Sequence, residues 1–183
     1  MCLVTVVLVG AELEADRKGL REGSEHRPDI VHRCLLSLLD SPLNRAGFLK
    51  VFVHTKKNVL IEVSRDARLP RVFGRFSGLF AQLLQKLKIK ANGATLLRVV
   101  KNPVESHLPD NCRKVGFSES GEPVRVGRFV SELPGPAAFF IGAYSHGEDS
   151  FDVERKVSIY KDSIAASVVC SRLCGAYEDK LEL

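Results

Sequence analysis

The chain is expected to fold as an α/β protein, a mostly parallel sheet flanked by helices, because three observations agree. Strand-like apolar runs alternate with helical apolar periodicity along the whole chain. The first run, CLVTVVLVG, is apolar apart from Thr5, as suits a strand buried on both faces. With 183 residues, 45% of them hydrophobic and 27% charged, the chain can bury one substantial core but would be cramped as two. Residues 1–183 are therefore read as a single domain.

Each element has its own reason. Leu3 to Val9 reads as the first strand; it lacks a basic leader and passes straight into the acidic AELEAD, unlike a signal peptide. Asp29 to Leu39 places Val31, Cys34, Leu35 and Leu38 on one helical face, with Pro28 at its start. Strands follow at Leu49 to His54 and Val59 to Val63. In RLPRVFGRFSGLFAQLLQKL, Pro70 suits a first helical position, and Phe73, Phe76, Phe80, Leu83, Leu84 and Leu87 recur at helical spacing. Further strands are expected at Thr95 to Val100, Ala137 to Gly142 and Lys156 to Tyr160, separated by the turn-rich NPVESHLPDN and LPGPAA. A final helix over Ser163 to Leu181 carries Ala165, Val168, Val169, Leu173 and Ala176 as its stripe. Such an alternation puts helices on both faces of the sheet and ligand sites at the carboxyl ends of strands.

Charge and cysteine content narrow the function. A net charge of +5 favours an acidic partner. Arg68, Arg71 and Arg75 gather where a helix should begin, a place that prefers anions. An external phosphate backbone would complete such a site; nearby carboxylates are the alternative partners. The five cysteines are odd in number, form no CxxC pair and keep no zinc spacing with histidine, so neither a disulfide framework nor a metal is expected. Cys170 and Cys174 read as small buried hydrophobes. No apolar stretch approaches the roughly 20 residues that span a bilayer. A soluble protein of a reducing, intracellular compartment is expected.

Common enzyme signatures are missing. Gly10 stands alone after the first strand, no P-loop GKS or GKT occurs, and FSESG around Ser118 and Ser120 does not make a GxSxG elbow. Four segments remain. GAYSHG, Gly142 to Gly147, leaves a buried strand and is either a close approach for a ligand or simply a turn. KVSIYKDSIA, Lys156 to Ala165, could line a nucleoside pocket, or Asp162 or Ser163 could cap the helix behind it. In RPDIVH, Asp29 could hold the guanidinium of Arg27 or cap its own helix. Asp40 is either a turn residue or a general base.

RPDIVH, LLDSPLNRAG, VHTKKNVLIEV, RLPRVFGRFSGL, KNPVESHLP, CRKVGFS and IGAYSHG, in this order, resemble the small-subunit rRNA pseudouridine N1-methyltransferases of ribosome biogenesis. That family belongs to the SPOUT, or α/β-knot, class. The resemblance implies a C-terminal trefoil knot, a homodimer, S-adenosylmethionine held by the knot loops, and small-subunit rRNA near the dimer interface. It also implies a nucleolar protein in the company of ribosome assembly factors. Carried onto this chain, RNA contacts fall to Arg27, steadied by Asp29, and to Arg68, Arg71 and Arg75. The cofactor contacts fall to Gly142 and Gly147, to the turn Ile159, Tyr160, Lys161, Asp162, Ser163 and Ile164, and to Phe117. In that turn the family reads close to SNYPLSA, whereas this chain reads IYKDSIA, without the proline and with Lys161 and Asp162 added.

The reaction implied is methyl transfer to N1 of a pseudouridine, catalysed mainly by holding nitrogen and methyl carbon in line. Asp29 and Asp40 are the carboxylates available as proton acceptors. The alternative is a non-catalytic rRNA-binding assembly factor on the same fold, which would keep the arginine surface without needing S-adenosylmethionine.

Overall fold

A computed structural model describes residues 3–147 and 149–183; Cys2, at the head of the first apolar run, lies outside them. Ten strands and five α-helices follow in chain order: β1 (Val4–Ala11), β2 (Ala15–Asp16), β3 (Gly19–Leu20), α1 (Pro28–Asp40), α2 (Pro42–Arg45), β4 (Leu49–Thr55), β5 (Leu60–Val63), α3 (Phe73–Lys86), β6 (Lys88–Ala91), β7 (Ala94–Val100), β8 (Arg113–Pro123), α4 (Val126–Glu132), β9 (Ala137–Gly142), β10 (Arg155–Ser158) and α5 (Ala166–Leu181). Eight strands form one sheet in the order β10-β8-β9-β1-β4-β5-β7-β6, and β2 and β3 form a separate hairpin. From β10 to β4 the pairs are parallel; the extension through β5, β7 and β6 is antiparallel. Four of the seven strand pairings in the large sheet are parallel, in line with the expected mostly parallel sheet, and that parallel part carries the candidate site.

β1 lies centrally, which explains its continuous apolar run: Val4, Val6, Val7 and Leu8 are fully buried. Val6 and Leu8 point into the large core shared with all five α-helices, whereas Val7 joins a smaller cluster with Phe52, Leu60, Ala138 and Phe140. That second face is closed by Val104, in a 3-10 turn over Val104–His107, and by Leu108, Phe151 and Val153. Helices on both faces were expected; the α-helices instead share the large core, and a 3-10 turn and loops serve the other side. NPVESHLPDN and the segment before β10 have too few apolar positions for a helical stripe, but enough to seal a strip this narrow.

Several boundaries differ from the sequence-based expectation. α3 begins at Phe73, with Val72 as its N-cap, rather than at Pro70. The Pro70 carbonyl is 2.7 Å from Nε2 of His32, which holds the residues before Val72 against α1, outside the helix. β10 ends at Ser158, where the Ser158 hydroxyl turns back to the Tyr160 carbonyl at 2.6 Å. α5 then begins at Ala166 rather than Ser163, with no side-chain cap, so neither Asp162 nor Ser163 plays that part. Cys170 and Cys174 are buried in α5 as expected.

β6, β8 and α4 were not foreseen from periodicity. β8 and β10 pair in two short stretches, Arg155–Lys156 opposite Val115–Gly116 and Val157–Ser158 opposite Glu122–Pro123. The intervening residues 117–121 bulge from the ladder. Gly121 permits the approach of the two strands there, since a Cβ on it would stand 2.7 Å from the backbone nitrogen of Val157.

Candidate functional site

A cavity of about 550 Å³ opens beside the carboxyl ends of β9 and β10, where a parallel sheet is expected to bind ligands. Gly142 and Gly147 line it, as do Ile159, Tyr160, Asp162, Ser163 and Ile164 from the turn after β10, and Phe117 from the β8 bulge. Eight of the nine residues expected at a cofactor site therefore meet around one space. Lys161 is not among the lining residues; its side chain is 78% exposed and its Nζ is 3.9 Å from Asp162. All the other residues of Ile159 to Ile164 line the cavity, and Lys161 alone of them turns to water.

Sequence reasoning missed other lining residues. Ile30 and Arg33 come from α1, Ser118 and Glu119 from the bulge, and Tyr144 and Ser145 from inside GAYSHG. Tyr144 packs on the glycine loop, where a Cβ on Gly142 would lie 2.9 Å from its Cζ. Its hydroxyl donates to Asp149 Oδ1 at 2.5 Å, and the Lys156 ammonium donates to the Asp149 carbonyl at 2.7 Å. Burial, aided by the bond to Asp149, pushes the Tyr144 phenol well above its ordinary range, so it stays a neutral donor. The loop is thus braced from both ends.

Arg27 enters the cavity wall from the start of α1. Its Nε donates to Asp29 Oδ1 at 2.8 Å and its Nη2 to Oδ2 at 2.9 Å. The hydrogen bond and charge of Arg27 hold the Asp29 carboxyl below the usual carboxylate range, which makes Asp29 a clamp and a weak base. No side chain caps α1, so the alternative role of Asp29 as a cap does not apply. Instead the Arg27 N–H donates to Oε2 of Glu12 at 2.9 Å, and Lys56 donates to Oε1 at 2.7 Å. Glu12, only 4% exposed, does from a distant segment what the third helical residue does in a capping box. The acidic run after β1 was its only signal.

The remaining arginines form a separate surface. Arg68, Arg71 and Arg75 are all exposed. Arg71 donates twice to Asp40 at the end of α1, with Nη2 2.8 Å from Oδ1, so local carboxylate pairing accounts for that one. Asp40 does not stabilise its own turn, a task that falls to Ser41, whose hydroxyl accepts from Asn44 N–H at 3.1 Å. Arg68 and Arg75 have no ion pair among the described residues. Arg75 sits in the first turn of α3, which contains no acidic residue, and so adds its charge to the positive end of the helix. Neither Asp29 nor Asp40 lines the cavity.

The cavity suits a nucleoside cofactor with polar ends. Ser145 Oγ is buried without a partner among the described residues, α5 leaves its leading amides without a side-chain acceptor, and Ile141, Val157 and Ile164 supply apolar wall. Buried polar atoms and free amides beside apolar surface are what a mixed ligand satisfies. Among the described residues there is no His, Cys, Asp and Glu grouping suited to a metal. No helix among them is long and apolar enough to cross a membrane.

The EMG1/NEP1 methyltransferase family model matches residues 7–178. The chain is 48% identical over 169 residues to ribosomal RNA small subunit methyltransferase NEP1 of Candida glabrata, covering 89% of this chain and 73% of that protein. With the Homo sapiens protein of the same name it shares 43% identity over 195 residues, 95% of this chain and 80% of that one. The crystal structure of Archaeoglobus fulgidus Nep1 bound to S-adenosylhomocysteine is similar over 100% of this chain and 99% of its own, with a TM-score of 0.82 at 26% identity.

Proposed function

The chain belongs to the EMG1/NEP1 methyltransferase family, with its SPOUT-type α/β-knot fold, and from that premise we propose that it methylates N1 of a pseudouridine in small-subunit rRNA, using S-adenosylmethionine. The observation that carries this reading is the placement of Arg27, held in a two-point grip by Asp29, in the wall of the same cavity that gathers Gly142, Gly147 and the turn after β10. Bound S-adenosylmethionine would supply a methyl group made electrophilic by its sulfonium.

The protein's own residues hold and orient. The glycine loop, the β8 bulge and the start of α5 enclose the cofactor. Arg27, its torsions fixed by Asp29, offers donors to the RNA next to the reacting centre. Arg68, Arg71 and Arg75 bind phosphates of a splayed loop on the flanking surface. Positioning of nitrogen and methyl carbon supplies most of the rate. Both aspartates are already bonded to guanidinium groups, so their part is to position arginines, and the N1 proton leaves to another acceptor. A homodimer working in the nucleolus with ribosome assembly factors completes the reading.

Methyl-labelled S-adenosylmethionine, offered with matched hairpins bearing uridine or pseudouridine at one loop position, tests it. Methylated pseudouridine, identified by nucleoside mass spectrometry with the second hairpin alone, is the expected result. Binding of both hairpins with methylation of neither would favour the assembly-factor reading, for which the altered cofactor turn IYKDSIA, with Lys161 and Asp162 and no proline, is the motivating feature.

A further inference from the structure

Three buried side-chain atoms lack a hydrogen-bond partner among the described residues: Asn44 Oδ1, Tyr177 OH and Ser145 Oγ. Folded proteins seldom leave a buried hydroxyl unsatisfied, because its lost water must be replaced. Asn44 and Tyr177 are not in the cavity wall; Ser145 is. Its loop is braced on both sides. Tyr144 on one side lies against Gly142 and donates to Asp149, and Lys156 grips the Asp149 carbonyl on the other. The hydroxyl is thus desolvated and held by a braced frame, in a cavity with room for a ligand, which is the condition for preorganised binding.

We propose that Ser145 is a cofactor-binding residue whose hydroxyl completes its hydrogen bonding on a polar atom of the S-adenosyl cofactor, a role that rests on the cofactor reading given above. A serine hydroxyl both donates and accepts, so it can serve either a ribose hydroxyl in the nucleoside half or the charged groups of the amino-acid half. The free protein gains nothing from this hydroxyl. Its benefit is realised only when the ligand arrives, and that separates it from a residue that maintains the fold.

The test is calorimetric titration of the full chain with S-adenosylhomocysteine and with methylthioadenosine, which lacks the amino-acid portion. Wild type is compared with Ser145→Ala and with Ser150→Ala, an exposed residue of the same segment outside the cavity wall. Ser145→Ala is expected to bind S-adenosylhomocysteine about fivefold to tenfold more weakly, with a melting temperature equal to or above wild type, while Ser150→Ala binds normally. An equal loss for both ligands assigns the bond to the nucleoside half, and a loss confined to S-adenosylhomocysteine assigns it to the amino-acid half. Unchanged affinity in Ser145→Ala, or an equal loss in Ser150→Ala, overturns the inference while leaving the cofactor reading intact. Wild type that binds neither ligand overturns both.

Discussion

Nε2 of His32 lies 2.7 Å from the carbonyl oxygen of Pro70, and this contact ties α1 to the loop that carries Arg68 and Arg71. The imidazole is buried and stacks on Phe76 with ring centroids 4.3 Å apart. A second tie at the far end of α1, Asp40 to Arg71, makes the helix a strut between the arginine surface and the cavity that Arg27 enters. His32→Ala removes a buried ring and leaves the Pro70 carbonyl without its donor. A loss of about 2 to 4 kcal/mol is expected in denaturant unfolding, together with weaker RNA binding under conditions where the variant remains folded.

Asp40 and Arg71 are both well exposed, so their pair adds little to stability. Asp40→Asn is therefore expected to melt with wild type but to bind RNA hairpins less tightly, because the Arg71 fork loses its orientation. Filter binding against salt distinguishes orientation from charge. Arg68→Ala and Arg75→Ala should each reduce the slope of log affinity against log salt by about 0.7, whereas Asp40→Asn keeps it.

Glu12 is buried and accepts from both the Arg27 N–H and Lys56. Glu12→Ala leaves that N–H unpaired at the start of α1, and a loss of about 1 to 3 kcal/mol is expected by chemical denaturation. Glu12→Gln retains an acceptor for the N–H and should recover most of it.

Asp29 titrates below its ordinary range because Arg27 bonds and charges favour its ionised form. A depressed folded-state value means stability that is present above the unfolded value, near pH 4, and lost as pH falls through the folded value. Asp29→Asn should flatten the acid limb of the stability profile below about pH 4, measured by urea unfolding at successive pH values. Glu14 and Glu62 are also held below their usual range despite the opposing effect of burial, so part of the acid limb is expected to survive the substitution.

Within the turn after β10, Asp162 lines the cavity and Lys161 does not. Lys161→Ala should leave affinity for S-adenosylhomocysteine unchanged in calorimetry, and Asp162→Ala should alter it.

What the amino-acid sequence determined by itself was local. The apolar run of β1, the 3.6-residue stripes of α1, α3 and α5, and the glycines of the loop after β9 depend on side chains within a few positions of one another, and each of these elements formed, with α3 and α5 starting three residues later than expected. The polar, glycine-containing β8 escaped because only Val115 to Ser118 are buried in it, and seven-residue α4 is too short to establish a period. The motif residues Gly142, Gly147, Ile159 to Ile164 and Phe117 could be named from sequence, but the presence of Arg27 in the wall of the same cavity could not. Tertiary structure alone decided the partners: Pro70 with a histidine 38 positions earlier, Arg71 with an aspartate 31 positions earlier, Arg27 with a glutamate 15 positions earlier. Hydrogen bonds act over about 3 Å in space and are indifferent to distance along the chain, so which carboxylate restrains which arginine, and which hydroxyl is left for a ligand, is settled only when strands and helices pack.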